Sequence, residues 1–272
     1  EKELSSGGAK KAIEKAMRKF KYLFMTMLSV AVCCGFTACG DDDDEDEPGG
    51  GTVTPPATEL LGVPTVGNTP DALLGKWTYS YVDDEGDAGS ISFQFKHRGI
   101  CTFDYDDEVA ILGSCKVSGN RLTVDLGSMI YEGPYSISGD KLIFKATATD
   151  IEESGSYTME LTLTKVSSET GYEPAPVDDA LVGVWYDSEK CHRFTFLSNG
   201  LAQYLQTGEG YDTVPLFFAY SVNDGKFTCH DGEGNAVALF GSIDVPYSVD
   251  GNTLSITGSN GDGYSETIVF TK

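Results

Sequence analysis

Two halves of the chain repeat the same short blocks in the same order, and this repetition limits the folds open to it. The block "LLGKWTYSY" from Leu73 returns as "LVGVWYDSE" from Leu181. The block "YSISGDKLIF" from Tyr135 returns as "YSVDGNTLSI" from Tyr247, and two further blocks correspond between the same halves. Several blocks conserved in order at one spacing indicate an internal duplication. Each half must therefore fold as a similar unit.

Within each half the apolar residues recur with a period of two. Ile91, Phe93 and Phe95 alternate with polar residues, and the runs "SGDK" and "DGNT" separate alternating segments. This pattern is typical of antiparallel strands joined by tight turns. We therefore predict an all-β protein with two tandem, small, antiparallel up-and-down β-barrels, since closure removes exposed strand edges. The predicted barrels span 71–167 and 180–272, with a proline-containing linker at 168–179.

The repeated blocks resemble those of the lipocalin-like domains of Bacteroidota lipoproteins. The likeness rests on the Gly-x-Trp opening, the "F.F...G" strand, the "Y.V.G..L.I" hairpins and the closing "L.L.K". It implies that Trp77 and Trp185 lie low in each barrel and close its base. It says little about function, because such barrels either hold one small ligand or are filled by their own side chains.

The N-terminal part of the sequence resembles a targeting signal. Residues 17–38 contain a basic start and a short apolar run, which is the pattern of a secretory signal, and we expect residues 1–16 to precede the native start. The exit "FTAC" resembles a bacterial lipobox and predicts cleavage before Cys39 and attachment of lipid to its thiol. The membrane would then be a partner through that lipid. The alternative is an ordinary signal peptide with an incidental cysteine.

An acidic run follows this cysteine directly. Asp41, Asp42, Asp43 and Asp44 resemble the surface-export signal of Bacteroidota lipoproteins, and they favour a surface-exposed outer-membrane lipoprotein over a periplasm-facing one. The same residues also fit a solvated spacer, and we predict a disordered, Gly- and Pro-rich tether over 39–70.

Charge and motifs exclude several classes of function. The formal net charge of -23 argues against nucleic acid as a partner, because phosphate binding needs clustered Lys and Arg. The sequence contains no phosphate-binding loop, dinucleotide fingerprint, nucleophile elbow or metal-ligand spacing, so we expect no cofactor, no metal and no enzymatic activity. Cys101 and Cys115 are both predicted to face inward on neighbouring strands. They would therefore form either a disulfide or two buried free thiols.

The remaining expectation is a non-enzymatic binding module for a small apolar or amphipathic ligand. Its site would lie among aromatic residues at the open ends of the barrels: Phe103, Tyr105 and Tyr131 in the first, and Tyr204, Phe217 and Tyr220 in the second. The alternative is a structural or interaction lipoprotein with solid barrels that binds an envelope protein or a glycan.

Overall fold

The computed structural model describes residues 64, 67–82, 86–106, 110–151, 155–175, 177, 179–190, 192–206, 215–259 and 265–272. The predicted lipidation site Cys39, the acidic run and the signal segment lie outside the described residues. Within the described part no α-helix is present, and no helix long and apolar enough to cross a membrane was found there.

The first unit is a closed barrel of eight antiparallel strands in sequence order, with the first strand beside the last. The fold prediction is confirmed for this half. Its strands are β1 (Gly75–Val82), β2 (Ala88–Lys96), β3 (Ile100–Tyr105), β4 (Ile111–Ser118), β5 (Arg121–Asp125), β6 (Met129–Ser138), β7 (Lys141–Asp150) and β8 (Gly155–Ser167).

The second unit repeats this design. Eight of its strands form a barrel that the β12–β13 pairing closes, and a two-residue strand, β14, is added to β13. The strands are β9 (Gly183–Asp187), β10 (His192–Phe196), β11 (Leu201–Gln206), β12 (Leu216–Asn223), β13 (Lys226–His230), β14 (Ala236–Val237), β15 (Asp244–Asp250), β16 (Thr253–Ser259) and β17 (Ser265–Thr271).

Each barrel has two unlike ends. In the first barrel, tight connections such as those at Gly119 and Gly139, both with φ of 60°, join strands at the end where β1 begins. This is the closed end, and glycine is favoured there because a positive φ is strained for other residues. The connections after β1, β3, β5 and β7 lie at the opposite, open end, and the second barrel follows the same scheme.

Chain flanking the first barrel packs against it. Thr69 is buried, and its hydroxyl accepts a hydrogen bond from the Gly99 backbone N–H at 3.2 Å, so the last residues of the predicted tether are part of the folded unit. The linker lies along β2, where the Lys96 ammonium donates to the Thr170 carbonyl at 2.8 Å. Burial lowers the pKa of Lys96 to about 8. The linker is therefore a packed strap.

The two barrels meet through their outer faces. Ile100 and Leu112 of the first barrel pack with Leu197, Leu201 and Ala219 of the second. At the same contact the Asn199 side-chain amide donates to the Arg98 carbonyl at 3.0 Å. These residues lie on β3, β4 and the β2–β3 turn, and on their counterparts in the second copy.

This contact is close to two-fold symmetric. A methyl group at Gly127 would overlap the Pro215 carbonyl oxygen, and one at Gly232 would lie 2.5 Å from the Ala110 carbonyl oxygen. Gly127 and Gly232 occupy the same position in the two copies, as do Ala110 and Pro215. Each barrel thus offers the same two positions to the other, which is the arrangement of an isologous dimer interface.

Candidate functional site: the mouths of the two barrels

The base of each barrel is closed by its tryptophan. The Trp77 side chain is fully buried, and its indole N–H donates to the Leu73 carbonyl at 2.7 Å. Trp185 and Leu181 repeat this bond at the same distance. The positions agree with the structural role that the family resemblance implied for these two residues.

Aromatic rings fill the middle of the first barrel. Phe93 packs edge-on against Phe103, with ring centroids 5.2 Å apart, and against Tyr131 at 5.8 Å. Phe103 and Tyr131 stack at 6.1 Å. All three side chains are almost completely buried. At this level the interior is occupied by the protein itself, so a ligand of this barrel must bind nearer the open end.

Tyrosine side chains from four strands gather at that open end. We name as the tyrosine mouth the inward-facing residues Tyr79, Tyr81, Tyr105, Tyr131 and Tyr157. Three of them, Tyr79, Tyr81 and Tyr157, keep part of their surface exposed to solvent. The mouth therefore presents flat apolar rings with hydroxyl groups at their edges.

Glycine creates the room for one of these rings. Gly89 pairs with Tyr81 across β1 and β2, and a methyl group at Gly89 would lie 2.5 Å from the Tyr81 ring. The Tyr81 ring thus crosses β2, and its hydroxyl donates to that of Tyr105 on β3. Tyr79 stacks beside it with a centroid distance of 6.3 Å.

The hydroxyls deeper in the mouth are held neutral. Burial raises the pKa of Tyr157 to about 12 and that of Tyr131 well above its usual range, and each phenol also lies near the other. The negative charge of Asp150 adds to both shifts. At neutral pH these groups can donate and accept hydrogen bonds but carry no charge.

The second barrel covers its mouth with its own chain. Phe240, in the connection between β14 and β15, lies edge-on over Phe194 and Tyr204, with centroid distances of 5.9 and 6.2 Å. Its carbonyl accepts from the Ser259 N–H at 2.8 Å. The corresponding β5–β6 connection of the first barrel is only three residues long and has no counterpart of Phe240.

A histidine completes this covered mouth. His192 stacks on Tyr204, and its Nδ1 lies 2.7 Å from the tyrosine hydroxyl. Burial lowers the pKa of His192, so its imidazole is neutral at neutral pH. Its main-chain N–H donates to the Asp187 carboxylate at 3.0 Å. His192 is therefore held in place through both its ring and its main chain.

The structure brings together only some of the predicted ligand residues. Phe103, Tyr105 and Tyr131 share the interior of the first barrel, and Tyr204 lies at the mouth of the second. Tyr220 faces inward, but its hydroxyl donates to the Leu197 carbonyl at the closed end, at 3.4 Å, so its predicted place at the open end is wrong.

Phe217 does not belong to a barrel interior at all. It packs from outside on the cluster between the two barrels, while Phe218 and Tyr220 face inward. The sequence prediction grouped Phe217 with Tyr220 as ligand residues of one site, but residues three apart on a strand point to opposite faces, so Phe217 does not line the interior that Tyr220 faces. Sequence reasoning also missed Tyr79 and Tyr81, although they share the phase of Trp77 and could have been found from it.

The cysteines form no disulfide among the described residues, where Cys101, Cys115 and Cys229 are free and buried. The Cys101 and Cys115 thiols are neighbours, and burial raises the pKa of Cys101 well above its usual range. Cys115 also lies 3.6 Å from the Thr69 hydroxyl. Buried thiols of this kind act as small apolar side chains. In the described chain no group of three His, Cys, Asp or Glu residues is placed to hold a metal.

One nucleophile–base pair occurs on the outer wall of the second barrel. The Ser221 hydroxyl lies 2.9 Å from His230 Nε2, and His230 Nδ1 lies 3.2 Å from the Gly234 carbonyl. A backbone carbonyl orients the imidazole but has no full charge with which to stabilise an imidazolium. This pair therefore lacks the carboxylate that completes the common hydrolytic triad.

Comparison with known proteins adds little. No family model matches this chain, and no curated protein matches it. A DUF3598-family protein of unknown function from Nostoc punctiforme is similar with 12% identity, covering 73% of this chain and 95% of that one, at a TM-score of 0.20. BamB from Moraxella catarrhalis is similar with 9% identity over 71% of this chain and 82% of its own, at a TM-score of 0.12. Scores this low carry no argument about fold or function.

Proposed function

We propose that this protein is a lipid-anchored envelope protein that binds a small amphipathic ligand at the tyrosine mouth of its first barrel, without catalysing a reaction. The observation that supports this most is the difference between the two mouths. The second is covered by Phe240, whereas the first presents partly exposed Tyr79, Tyr81 and Tyr157. Buried rings below them make the site shallow.

The chemistry of the mouth favours an amphipathic over a purely apolar ligand. Aromatic rings contribute large apolar contact areas, and tyrosine adds a hydroxyl that can bond a polar group. The hydroxyls of Tyr81 and Tyr105 are already bonded to each other. A ligand with a flat apolar part and a polar end can contact these rings and join the hydroxyl pair.

Binding can be tested with the neutral fluorescent probe N-phenyl-1-naphthylamine. The protein should enhance its fluorescence, and Tyr81→Ala and Tyr105→Ala should each weaken binding by about five- to thirtyfold, as loss of 1–2 kcal/mol of aromatic contact implies. Tyr204→Ala, at the covered mouth, is the matched control and should leave the affinity unchanged. Phe240→Ala should uncover the second mouth and add a second class of site.

The opposite result has a clear meaning. If the wild-type protein does not bind the probe while Phe240→Ala does, the first mouth is closed by its own tyrosines. The filled interiors of both barrels would then favour the second candidate, a solid-barrel lipoprotein whose outer face contacts an envelope protein or a glycan.

The anchor and location are proposed from the sequence. The "FTAC" exit supports lipidation at Cys39, and the aspartates from Asp41 to Asp44 support display at the outer-membrane surface. Mass spectrometry of the N-terminal peptide from native membranes should find a diacylglyceryl group on Cys39. Protease added to intact cells should degrade a surface-exposed protein, whereas a periplasm-facing one would survive.

A further inference from the structure

Part of the outer wall of the second barrel is buried. Four outward side chains there have exposed fractions of 2% or less: Arg193 and Thr195 on β10, and Gln203 and Leu205 on β11. They alternate with residues that face the barrel interior, so this burial needs cover from outside the barrel. The Thr195 hydroxyl is buried and has no hydrogen-bond partner in the part of the chain that the structure describes. Because an unpaired buried hydroxyl is costly, this wall is suited to receive a segment with a free hydrogen-bonding group.

The first barrel shows how the matching wall is covered. The linker crosses β2, where the Gln94 side-chain amide donates to the Glu169 carbonyl at 3.0 Å. Gln94 is the counterpart of Thr195, because each follows by one residue the phenylalanine that pairs with the tryptophan of its barrel, Phe93 or Phe194. Thr195 thus occupies the position at which the first barrel binds a main-chain carbonyl of the linker.

The segments that precede the two barrels enter the fold in the same way. A methyl group at Gly99 would lie 2.6 Å from the Gly67 carbonyl oxygen, and one at Gly200 would lie 3.0 Å from the Ala175 carbonyl oxygen. Gly67 and Ala175 precede the tryptophans of their barrels by the same number of residues, and Gly99 and Gly200 are corresponding turn glycines. The two segments are therefore related by the same two-fold symmetry as the barrels.

This symmetry carries the chain before the first barrel towards the second barrel. The turn that contacts Gly67 also receives the hydrogen bond from Asn199 of the second barrel, through its Arg98 carbonyl. Counting back by the same step, Leu61 corresponds to Glu169. Pro64, the first described residue, is already buried. The chain thus approaches the contact between the barrels from the side on which the linker does not lie.

Each segment also matches in character the wall that it would cover. In the first barrel the His97 ring lies 2.8 Å from the Glu173 carboxylate, so an acidic linker lies on a basic turn. At the corresponding turn the second barrel has the uncharged pair Leu197 and Ser198. Residues 60–63 read "LLGV", which is an apolar run within a tether that is otherwise acidic and rich in Gly and Pro. An apolar run of this kind is suited to burial.

We infer that residues 60–63 lie across the β10–β11 wall of the second barrel, as the linker lies across β2 of the first. In this arrangement the Thr195 hydroxyl donates to the Leu61 carbonyl, and the apolar side chains of the segment cover Leu205. The tether then leaves the fold beside the second barrel. If Cys39 carries lipid, residues 40–59 are the free spacer, with a root-mean-square length of about 25 Å. The docking itself does not depend on the proposed ligand or on lipidation.

Paired cysteines in the full chain test this placement. Leu61→Cys with Thr195→Cys should form an intrachain disulfide under mild oxidation by diamide, identified by mass spectrometry of the linked peptides. Glu169→Cys with Gln94→Cys is the matched positive control, because the structure places the corresponding linker residue on β2. Leu61→Cys with Thr267→Cys, which is exposed on β17, should remain reduced.

A labelling experiment identifies what covers Thr195. Thr195→Cys should react slowly with iodoacetamide in the otherwise unchanged chain. Combining it with serine at Leu60, Leu61 and Val63 should speed its labelling by about tenfold or more, because local opening sets the rate at buried groups. The same serine substitutions should leave the labelling of Gln94→Cys unchanged, since the linker covers that position. Thermal unfolding followed by circular dichroism would verify that the variants stay folded.

Three results would overturn the inference. The Leu61–Thr195 cysteine pair could stay reduced, or link two chains, while the Glu169–Gln94 pair closes. Thr195→Cys could react rapidly in the otherwise unchanged chain, which would show that nothing covers the wall. Thr195→Cys could also stay protected when the three serines are present, which would assign the cover to another segment such as residues 207–214. The cysteine pairs decide the question even if the serine variant does not fold.

Discussion

The contact between the barrels can be tested with three glycine-to-alanine substitutions that separate steric overlap from backbone strain. A methyl group added at Gly232 would lie 2.5 Å from the Ala110 carbonyl oxygen of the other barrel. Gly232 does not have a strained, positive φ. Gly86 has φ of 90°, and its methyl group would meet no heavy atom of the described chain within 4 Å. Gly127 has the same φ of 90° and its methyl group overlaps the Pro215 carbonyl.

These differences set the expected loss of stability. Strain from a positive φ costs about 1 kcal/mol, and forced overlap in a packed region costs about 1–3 kcal/mol. Gly86→Ala should therefore lose about 1 kcal/mol and Gly232→Ala about 1–3 kcal/mol. Gly127→Ala combines both effects and should lose about 2–4 kcal/mol. For a chain of this size each 1 kcal/mol lowers Tm by about 2–4 °C.

Thermal and urea unfolding followed by circular dichroism would measure the three losses. The decisive comparison is between Gly127→Ala and Gly86→Ala, because their backbone strain is matched and only the overlap differs. If the two variants lose equal stability, or if Gly232→Ala unfolds like the wild type, the barrels do not approach each other as closely as the structure indicates.

Other features of the core lead to three shorter predictions. Burial raises the pKa of the Asp125 carboxyl from its ordinary value of 3.8 to about 6, so this group stabilises the fold fully below about pH 4, and the contribution is lost as the pH rises through 6. Urea unfolding at several pH values should show the wild type losing stability relative to Asp125→Asn over that window, and a constant difference would contradict it. Trp77→Phe leaves the buried Leu73 carbonyl without its indole donor and should lose about 1–3 kcal/mol in thermal unfolding, in addition to any packing loss. Cys101 and Cys229 should resist alkylation until the chain is unfolded by denaturant, as read by mass spectrometry of the labelled peptides; rapid labelling of the folded protein would show that these thiols are accessible.

The barrel fold could be predicted because local and long-range signals agree. Alternation along Ile91, Phe93 and Phe95 fixes which face of β2 is buried, and the second copy repeats the pattern at Phe194 and Phe196. Glycines at the turns predict the tight connections between strands. Closure of the sheet into a barrel follows because it leaves no edge strand unpaired. The same alternation predicts that four of the candidate ligand residues face a barrel interior: Phe103, Tyr105, Tyr131 and Tyr204.

Other parts of the site depend on contacts that a single sequence does not display. Phe240 covers the second mouth with φ of 49°, and its segment has no counterpart in the first copy to align with. The linker reads as a spacer from its prolines, yet it is held by Lys96 and other groups on β2. Phe217 was misplaced for a different reason, because the alternation that excludes it from the interior is visible in the sequence.

The duplication itself argues for where the function lies. The two copies keep the parts that close and fill the barrel: each has its tryptophan bonded to a carbonyl four residues earlier, and Phe93 and Phe95 stack much as Phe194 and Phe196 do, at 6.1 and 5.7 Å. They differ at the mouth, where one copy leaves tyrosine side chains partly exposed and the other is covered by Phe240. The shared parts are needed for the stability of each barrel, whereas stability does not require the two mouths to remain alike. The covered barrel therefore serves as an internal control for the open one in any binding experiment on the intact chain.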